Sequence, residues 1–284
     1  MTKDQLPTPA LTRRRALFAG VAAVGAAATA GLLATVAGDG DEPVRAAAPA
    51  AGPQARSALK PSTYRLQPLT GYGPPRVAPR RTLVRRAPLL RVSGRGRTMV
   101  LTFDDGPDPR YTPHILDTLR EYDVRAMFFV CGEMVVQNKE LLARMAEEGH
   151  VVGNHTWSHP LLTRLSHHRI RKEMERTSDV VEESYGERPA WFRAPYGAWN
   201  RTAFRLGAEL GMEPLGWTVD TLDWTTPGTH TIVDRVENGA APGVVVLSHD
   251  AGGDRSQSVR ALHTYLPQLL DSGYYVTVPE RQYR

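Results

Sequence analysis

From residue 98 to residue 284, strand-like and helix-like segments alternate along the sequence. Short apolar, β-prone runs are separated by amphipathic stretches, and glycines such as Gly149 and Gly273 end several of these stretches. This alternation is typical of parallel strands joined by right-handed helical crossovers, so we predict an α/β domain. A barrel or a strongly curled sheet is the expected closure, and a flat doubly wound sheet is the alternative. The predicted strands are residues 98–103, 126–130, 150–153, 190–192, 213–218, 243–247 and 274–278.

The N-terminal residues 1–46 have the composition of an export signal. Residues 13–15 are all arginine, and an apolar Ala/Val/Gly/Leu stretch follows them as far as Ala37. The paired arginines indicate the twin-arginine type, and we expect cleavage near residues 45–47. Because residues 16–37 are long enough to span a bilayer, an uncleaved membrane anchor is the alternative. In either case the domain is predicted to lie outside the cytoplasm, secreted or at the cell wall.

The basic charge of the chain lies in its N-terminal part. The whole chain has 35 Lys and Arg and 30 Asp and Glu, of which residues 1–97 contain 16 and 4, so the rest is acidic. Residues 47–97 hold eleven basic and no acidic residues together with many prolines. We predict a disordered, extended linker there, which serves as a spacer or binds the anionic cell envelope. Nucleic acid is a poor partner for an exported chain with an acidic domain.

The single cysteine, Cys131, excludes an internal disulfide bond and a cysteine metal cluster. It ends the apolar run of residues 127–131, which reads as a strand. We therefore predict a buried structural thiol at this position.

Polar residues cluster directly after five of the predicted strands. In parallel α/β folds, functional residues gather at the carboxyl ends of the strands. Asp104 and Asp105 alone would be typical of a solvated turn, but five such clusters together predict one site. The clusters are residues 104–105, 155–159, 193–197, 220–224 and 248–250.

His155 and His159 are four residues apart, so one helical turn would place both imidazoles on the same side. A carboxylate from the first strand completes a His-His-Asp donor set with open coordination positions, which suits a catalytic zinc, cobalt or other divalent ion. A non-haem iron oxygenase would use similar donors, but its close His-x-Asp pairing is absent from the sequence. A serine esterase is excluded, because there is no Gly-x-Ser-x-Gly elbow and the consecutive residues 248–250 cannot form a triad.

Five motifs in residues 98–284 give the chain a family resemblance. In order along the chain they read Thr-Phe-Asp-Asp-Gly-Pro, His-Thr-Trp-Ser-His-Pro, Arg-Ala-Pro-Tyr-Gly, Asp-Thr-Leu-Asp-Trp and Leu-Ser-His-Asp. With these motifs the chain resembles polysaccharide deacetylases with a NodB-homology domain, carbohydrate esterase family 4. The resemblance implies a distorted (β/α)7-type barrel for residues 98–284.

The resemblance also implies a metal site and a base. Asp105, His155 and His159 would hold the divalent ion, for which Zn²⁺ is the first expectation and Co²⁺ an alternative. Asp104 would be the general base acting on a metal-bound water, the nucleophile, and Arg193 would pair with Asp104 to keep it ionised.

The remaining implied roles concern the acid and the walls of the pocket. His249 would be the general acid, and Asp223 would raise its basicity. The backbone N–H of Tyr196 would stabilise the oxyanion, and Trp224 and Leu247 would enclose the acetyl methyl group.

We therefore expect a secreted, metal-dependent, monomeric enzyme that removes N-acetyl groups from polysaccharides containing N-acetylglucosamine, such as peptidoglycan or chitin-like glycans. An acetylxylan (O-acetyl) esterase and a catalytically silent glycan-binding protein are the alternatives. Loops around the groove, including Trp199 and residues 161–168, are expected to select the glycan.

Overall fold

The computed structural model describes residues 82–93 and 96–279, so the predicted export signal and most of the predicted linker lie outside these residues. Within them, eight parallel strands form one sheet. The strands are β1 (Thr98–Asp104), β2 (Met127–Val130), β3 (Val151–Asn154), β4 (Trp191–Phe192), β5 (Glu213–Pro214), β6 (Val219–Asp220), β7 (Val245–His249) and β8 (Tyr275–Val276).

The strand order across the sheet is β5-β4-β3-β2-β1-β7-β6, and β8 pairs with the start of β1. The sheet is curled and carries helices on its outer side, which confirms the predicted distorted (β/α)7-type barrel. Because all pairs are parallel, the carboxyl ends of the strands lie at one end of the barrel.

The predicted strand at residues 213–218 is a strand only at its start, Glu213–Pro214 (β5), and the next strand, β6 (Val219–Asp220), lies at the opposite edge of the sheet. The N–H of Leu215 still donates to Phe192 O beside β4, whereas the N–H of Thr218 donates to Val245 O beside β7. Three residue steps span at most about 11 Å, so the two sheet edges approach closely here. Residues 215–218 therefore close the barrel, and a single continuous strand could not reach both edges.

Seven α-helices lie among the described residues. They are α1 (Thr112–Glu121), α2 (Gly132–Gln137), α3 (Lys139–Glu147), α4 (His167–Tyr185), α5 (Arg201–Glu209), α6 (Thr229–Gly239) and α7 (Ser256–Asp271). Ser166 caps α4 by accepting a hydrogen bond from the N–H of Arg169, and Gly186 ends it in a left-handed conformation. The sequence analysis did not predict α2, which has only six residues, or α6, which buries few apolar side chains. Within the described ranges, no helix is long and apolar enough to cross a membrane.

The sheet is buried on both faces, which explains why its strands are continuous apolar runs. Along β1, Met99, Leu101 and Phe103 pack outward against the helices, while Val100 packs inside the barrel with Met127 and other side chains. Successive strand residues point to opposite faces, so one strand serves both layers of the core.

Residues 82–93 were predicted to belong to the disordered linker, but the structure packs them against the barrel. The N–H of Leu89 donates to Pro214 O, and Leu89 O accepts from the N–H of Gly216. Further along, the N–H of Val92 donates to Gly243 O. These residues bond to the chain beside β5 and just before β7, so the domain begins before residue 98, and the predicted linker is wrong for this segment.

Leu116 tests the packing between α1 and the sheet. Its side chain is fully buried, and Leu116→Ala is expected to lower the free energy of unfolding by about 2–5 kcal/mol through lost burial and a cavity. Leu83→Ala is the matched control, because Leu83 is 64% exposed and should change the value by less than about 0.5 kcal/mol. Urea unfolding followed by circular dichroism measures both, and equal losses would contradict the assignment of Leu116 to the core.

Candidate active site

The five polar clusters meet in one cleft at the carboxyl ends of the strands. The cleft has a volume of about 730 Å³. Eight of the ten predicted site residues line it: Asp104, Asp105, His155, His159, Tyr196, Trp224, Leu247 and His249. The other two, Arg193 and Asp223, lie directly behind it, where each bonds to a lining residue.

The three predicted metal ligands converge on one point. Asp105 Oδ1 lies 3.5 Å from Nε2 of His155 and 3.3 Å from Nε2 of His159. Atoms that share a tetrahedral zinc ion at 2.0–2.1 Å are about 3.3 Å apart, so these separations suit an ion between them. In addition, Asp105 Oδ1 is buried and has no hydrogen-bond partner among the described residues. A buried anionic oxygen without a partner is costly, so the donor set fits a divalent cation.

The protonation states of the donors also suit a metal. Burial raises the pKa of Asp105, but its interactions with His155 and the neighbouring histidines lower the pKa to about 2. Burial and the charge of His155 lower the pKa of His159. Asp105 is therefore ionised and His159 is favoured in its neutral form, as metal ligands must be.

The orientation of His155 is fixed from behind. Its Nδ1 lies 2.8 Å from the carbonyl oxygen of Arg193, so Nδ1 carries the proton and Nε2 presents its lone pair to Asp105. The adjacent Cys131 is buried and free, and burial raises the pKa of its thiol well above the usual range. These observations agree with the prediction of a structural thiol.

Asp104 and Arg193 form a buried ion pair. Nη1 of Arg193 donates to Asp104 Oδ1 over 2.6 Å and to Thr102 Oγ1 over 2.8 Å. The guanidinium also donates to the carbonyl oxygens of Leu215 and Gly216 and lies over the Phe129 ring. These contacts engage Oδ1 of Asp104 and leave Oδ2 facing the donor set, 3.6 Å from Nε2 of His155.

His249 and Asp223 form a second pair on the other side of the donor set. Nδ1 of His249 donates to Asp223 Oδ1 over 2.7 Å, and Asp223 Oδ2 accepts from the His249 N–H and the Ser258 hydroxyl. Burial lowers the pKa of His249, but the hydrogen bond and charge of Asp223, with those of Asp104 and Asp105, raise it to about 9. A histidine protonated at neutral pH therefore lines the cleft.

Two glycines allow the acidic turn to pack closely. A side chain at Gly252 would meet Asp105 Oδ2 at 2.7 Å, and one at Gly106 would meet Asp250 Oδ2 at 2.1 Å. The hydroxyl of Thr112 donates to Asp250 Oδ2, and the N–H of Asp250 donates to Asp104 O. Asp250 thus orients the turn from beneath.

The walls of the cleft are only partly those predicted. Both predicted wall residues line the cleft, but Trp224 is 57% exposed at its rim, whereas Leu247 is buried. Tyr196 has a φ of 60° and packs edge-on against His159. The sequence analysis missed several further lining residues, among them Glu133 and Met134 on α2, Trp217 in the segment that closes the barrel, and Arg255 just before α7.

Trp199 does not line the cleft. Its ring packs against Phe192 and stacks on Phe204 in a buried cluster. None of residues 161–168 lines the cleft either. The prediction that Trp199 and this segment form the groove is therefore wrong for this cleft, because the half-buried Trp199 ring packs on Phe192 and Phe204 instead.

A curled parallel barrel with a His-His-Asp donor set, a carboxylate and a protonated histidine in one cleft defines a class of hydrolases that use a bound ion with separate base and acid groups. A family model described as polysaccharide deacetylase matches residues 91–215. A peptidoglycan-N-acetylglucosamine deacetylase of Bacillus cereus is 40% identical over 187 residues, which are 65% of this chain and 87% of that protein.

A chitooligosaccharide deacetylase of Rhizobium leguminosarum bv. trifolii is 36% identical over 206 residues, 69% of this chain and 96% of that protein. Among solved structures, the Bc1960 peptidoglycan N-acetylglucosamine deacetylase superposes with a TM-score of 0.65 at 35% identity, covering 69% of this chain and 95% of its own. The chain belongs to the polysaccharide deacetylase family, the NodB-homology enzymes of carbohydrate esterase family 4.

Asp223 is expected to control the protonation of His249. In the metal-free protein, Asp223→Asn removes the negative charge beside Nδ1, so the pKa of His249 should fall from about 9 toward its ordinary value of 6.5. Ser258→Ala is the control, because it removes one hydrogen bond to Asp223 and keeps the charge. NMR titration of the imidazole measures both, and an equal fall in the two variants would contradict the role of the charge.

Proposed function

We propose that this chain is a secreted, metal-dependent deacetylase that hydrolyses N-acetyl groups of N-acetylglucosamine-containing polysaccharide, either peptidoglycan or a chitin-like glycan. The observation that carries the proposal is the placement of two oppositely oriented carboxylate–cation pairs beside one His-His-Asp donor set. The printed names of the relatives from Bacillus cereus and Rhizobium leguminosarum support this substrate class. Export is supported by the arginine-led apolar stretch near the N-terminus.

Asp105, His155 and His159 would hold the ion, and two nitrogens with one oxygen suit Zn²⁺, with Co²⁺ as an alternative. When bound, such an ion polarises the acetyl carbonyl and lowers the pKa of its water to about 7.

Asp104 is placed to act as the general base. Arg193 occupies Oδ1, and the free Oδ2 faces the donor set, so this oxygen can accept a proton from the attacking water. The guanidinium of Arg193 is fully buried, and its hydrogen bond to Oδ1 fixes the orientation of the Asp104 carboxylate.

His249 is placed to act as the general acid. Attack of water forms the new C–O bond, and cleavage of the C–N bond needs a proton on the leaving nitrogen, which His249 supplies. Asp223 stabilises the imidazolium before transfer and holds the ring by its Nδ1. The products are acetate and a free amine, and the proton taken by Asp104 balances the one given by His249.

The acetyl group itself would be held by the cleft walls. Trp224 and Leu247 offer apolar surface for the methyl group, and the backbone N–H of Tyr196 would donate to the carbonyl oxygen as negative charge develops there. The strongly basic His249 favours amide over ester cleavage, because an amine leaving group depends more on protonation than an alcohol does.

Removing the base should separate metal binding from turnover. In the full chain, Asp104→Asn is expected to keep the metal and lose at least about 10²-fold in kcat, whereas His155→Ala should lose both. Asp234→Asn, on exposed α6, is the control and should behave as the unmodified protein. Atomic absorption measures the metal content, and an acetate assay measures turnover. Full activity in Asp104→Asn would contradict the assignment of Asp104 as the base.

Substrate and metal dependence can be tested together with the full chain. Acetate release is measured on N-acetylglucosamine oligomers, peptidoglycan and acetylxylan, after chelation and after Zn²⁺ or Co²⁺ is restored. We expect metal-dependent acetate from the first two substrates and little from acetylxylan. Acetate from acetylxylan alone would establish the esterase alternative, and no acetate from the metal-loaded protein would favour a silent glycan-binding protein.

A further inference from the structure

The loop that carries both histidine ligands, residues 155–159, has an unfavourable backbone. Thr156 has a φ of 71° and His159 a φ of 54°, values that non-glycine residues rarely adopt and that β-branched threonine disfavours most. A loop of this kind persists only if the surrounding structure holds it. The contacts that stabilise this loop therefore determine whether the two imidazoles face Asp105.

The side chain of Glu173, on α4, bonds the middle of this loop. Its Oε2 accepts hydrogen bonds from the N–H of Trp157 over 3.0 Å and from the N–H of Ser158 over 2.9 Å. The Ser158 hydroxyl donates to Oε1 over 3.1 Å. One ionised side chain therefore binds the two consecutive amides that lie between the histidines. Hydrogen bonds to a charged acceptor are stronger than neutral ones.

Other groups bond several of the remaining polar atoms of the loop backbone. Asn154 Oδ1 accepts from the N–H of Thr156, and the carbonyl oxygens of Thr156 and Trp157 accept from the N–H groups of Gly132 and Glu133. Only the amides of Trp157 and Ser158 depend on the carboxylate from α4. Arg176, one turn further along α4, covers the Trp157 ring.

We propose that Glu173 is a positioning residue of the active site. Its carboxylate fixes the loop in the conformation that directs His155 and His159 to one ion, although it lies outside the donor set itself. The inference rests on the proposed function only for its effect on turnover. Its effect on metal affinity stands without it.

The test uses the full chain freed of metal by chelation. Co²⁺ binding is followed by the visible d–d absorption and Zn²⁺ binding by competition, and thermal unfolding of the metal-free protein reports on folding. Glu173→Ala is expected to weaken metal affinity about 10–100-fold, as loss of a residue supporting a ligand does, and to change the cobalt spectrum. Glu173→Gln should lie between the unmodified protein and Glu173→Ala, because its amide oxygen can still accept both N–H groups.

Glu175→Ala is the matched control. Glu175 lies on the same helix and pairs with Arg171 at the surface, so its variant should bind metal as the unmodified protein does. Unchanged affinity and spectrum in Glu173→Ala, or equal losses in both variants, would overturn the proposal. If Glu173→Ala fails to fold, Glu173→Gln decides, and a result identical to the unmodified protein would then overturn it.

These outcomes are distinct from those of the proposed function. One outcome is that metal affinity falls in the expected order, from the unmodified protein to Glu173→Gln to Glu173→Ala, while no acetate is released. That result would refute the proposed deacetylase activity and support the role of Glu173. A chain that binds neither Zn²⁺ nor Co²⁺ would overturn the positioning role together with the metal site.

Discussion

The buried guanidinium of Arg193 is the interaction on which most of the site depends. The guanidinium donates to Asp104 at the end of β1 and to the carbonyl oxygens of the segment that closes the barrel. The backbone carbonyl oxygen of Arg193 also accepts a hydrogen bond from Nδ1 of His155. The proposed base, one proposed metal ligand and the barrel closure therefore share a single residue. Breaking a buried pair by removing one partner costs about 3–5 kcal/mol, so this position serves the fold as well as the chemistry. A neutral residue here would leave Asp104 as an isolated buried charge.

The proposed base and the proposed acid each consist of one carboxylate and one cationic side chain, arranged in opposite orientation. Asp104 faces the donor set and its cation lies behind it, whereas His249 faces the cleft and its carboxylate lies behind it. The identity of the cation sets the difference, because arginine stays charged while histidine can release its proton. Since each charged group has its own counter-charge, neither is buried as an isolated charge.

Most of the site could be predicted because its residues follow strand ends, where parallel topology gathers them. Asp105, His155 and His249 are far apart in sequence, yet the sheet brings them together. Features that depend on packing could not be predicted. Glu173 reaches the histidine loop from a helix, and Trp199, which was predicted to lie in the groove, instead packs half-buried against Phe192 and Phe204. The end of β5 at Pro214 and the start of β6 at Val219 depend on how far the sheet curls, which the local sequence does not determine.

The metal donors come from two separate parts of the chain. Asp105 follows β1 and His155 follows β3, 50 residues later. An ion held by both would act as a reversible cross-link that closes a long stretch of chain. Its contribution to folding would follow mass action, about 2.7 kcal/mol when free metal is 100 times the Kd. The resistance of this domain to unfolding would then vary with the metal supply of its surroundings, so the conditions that load the site would also be those in which the fold is most stable.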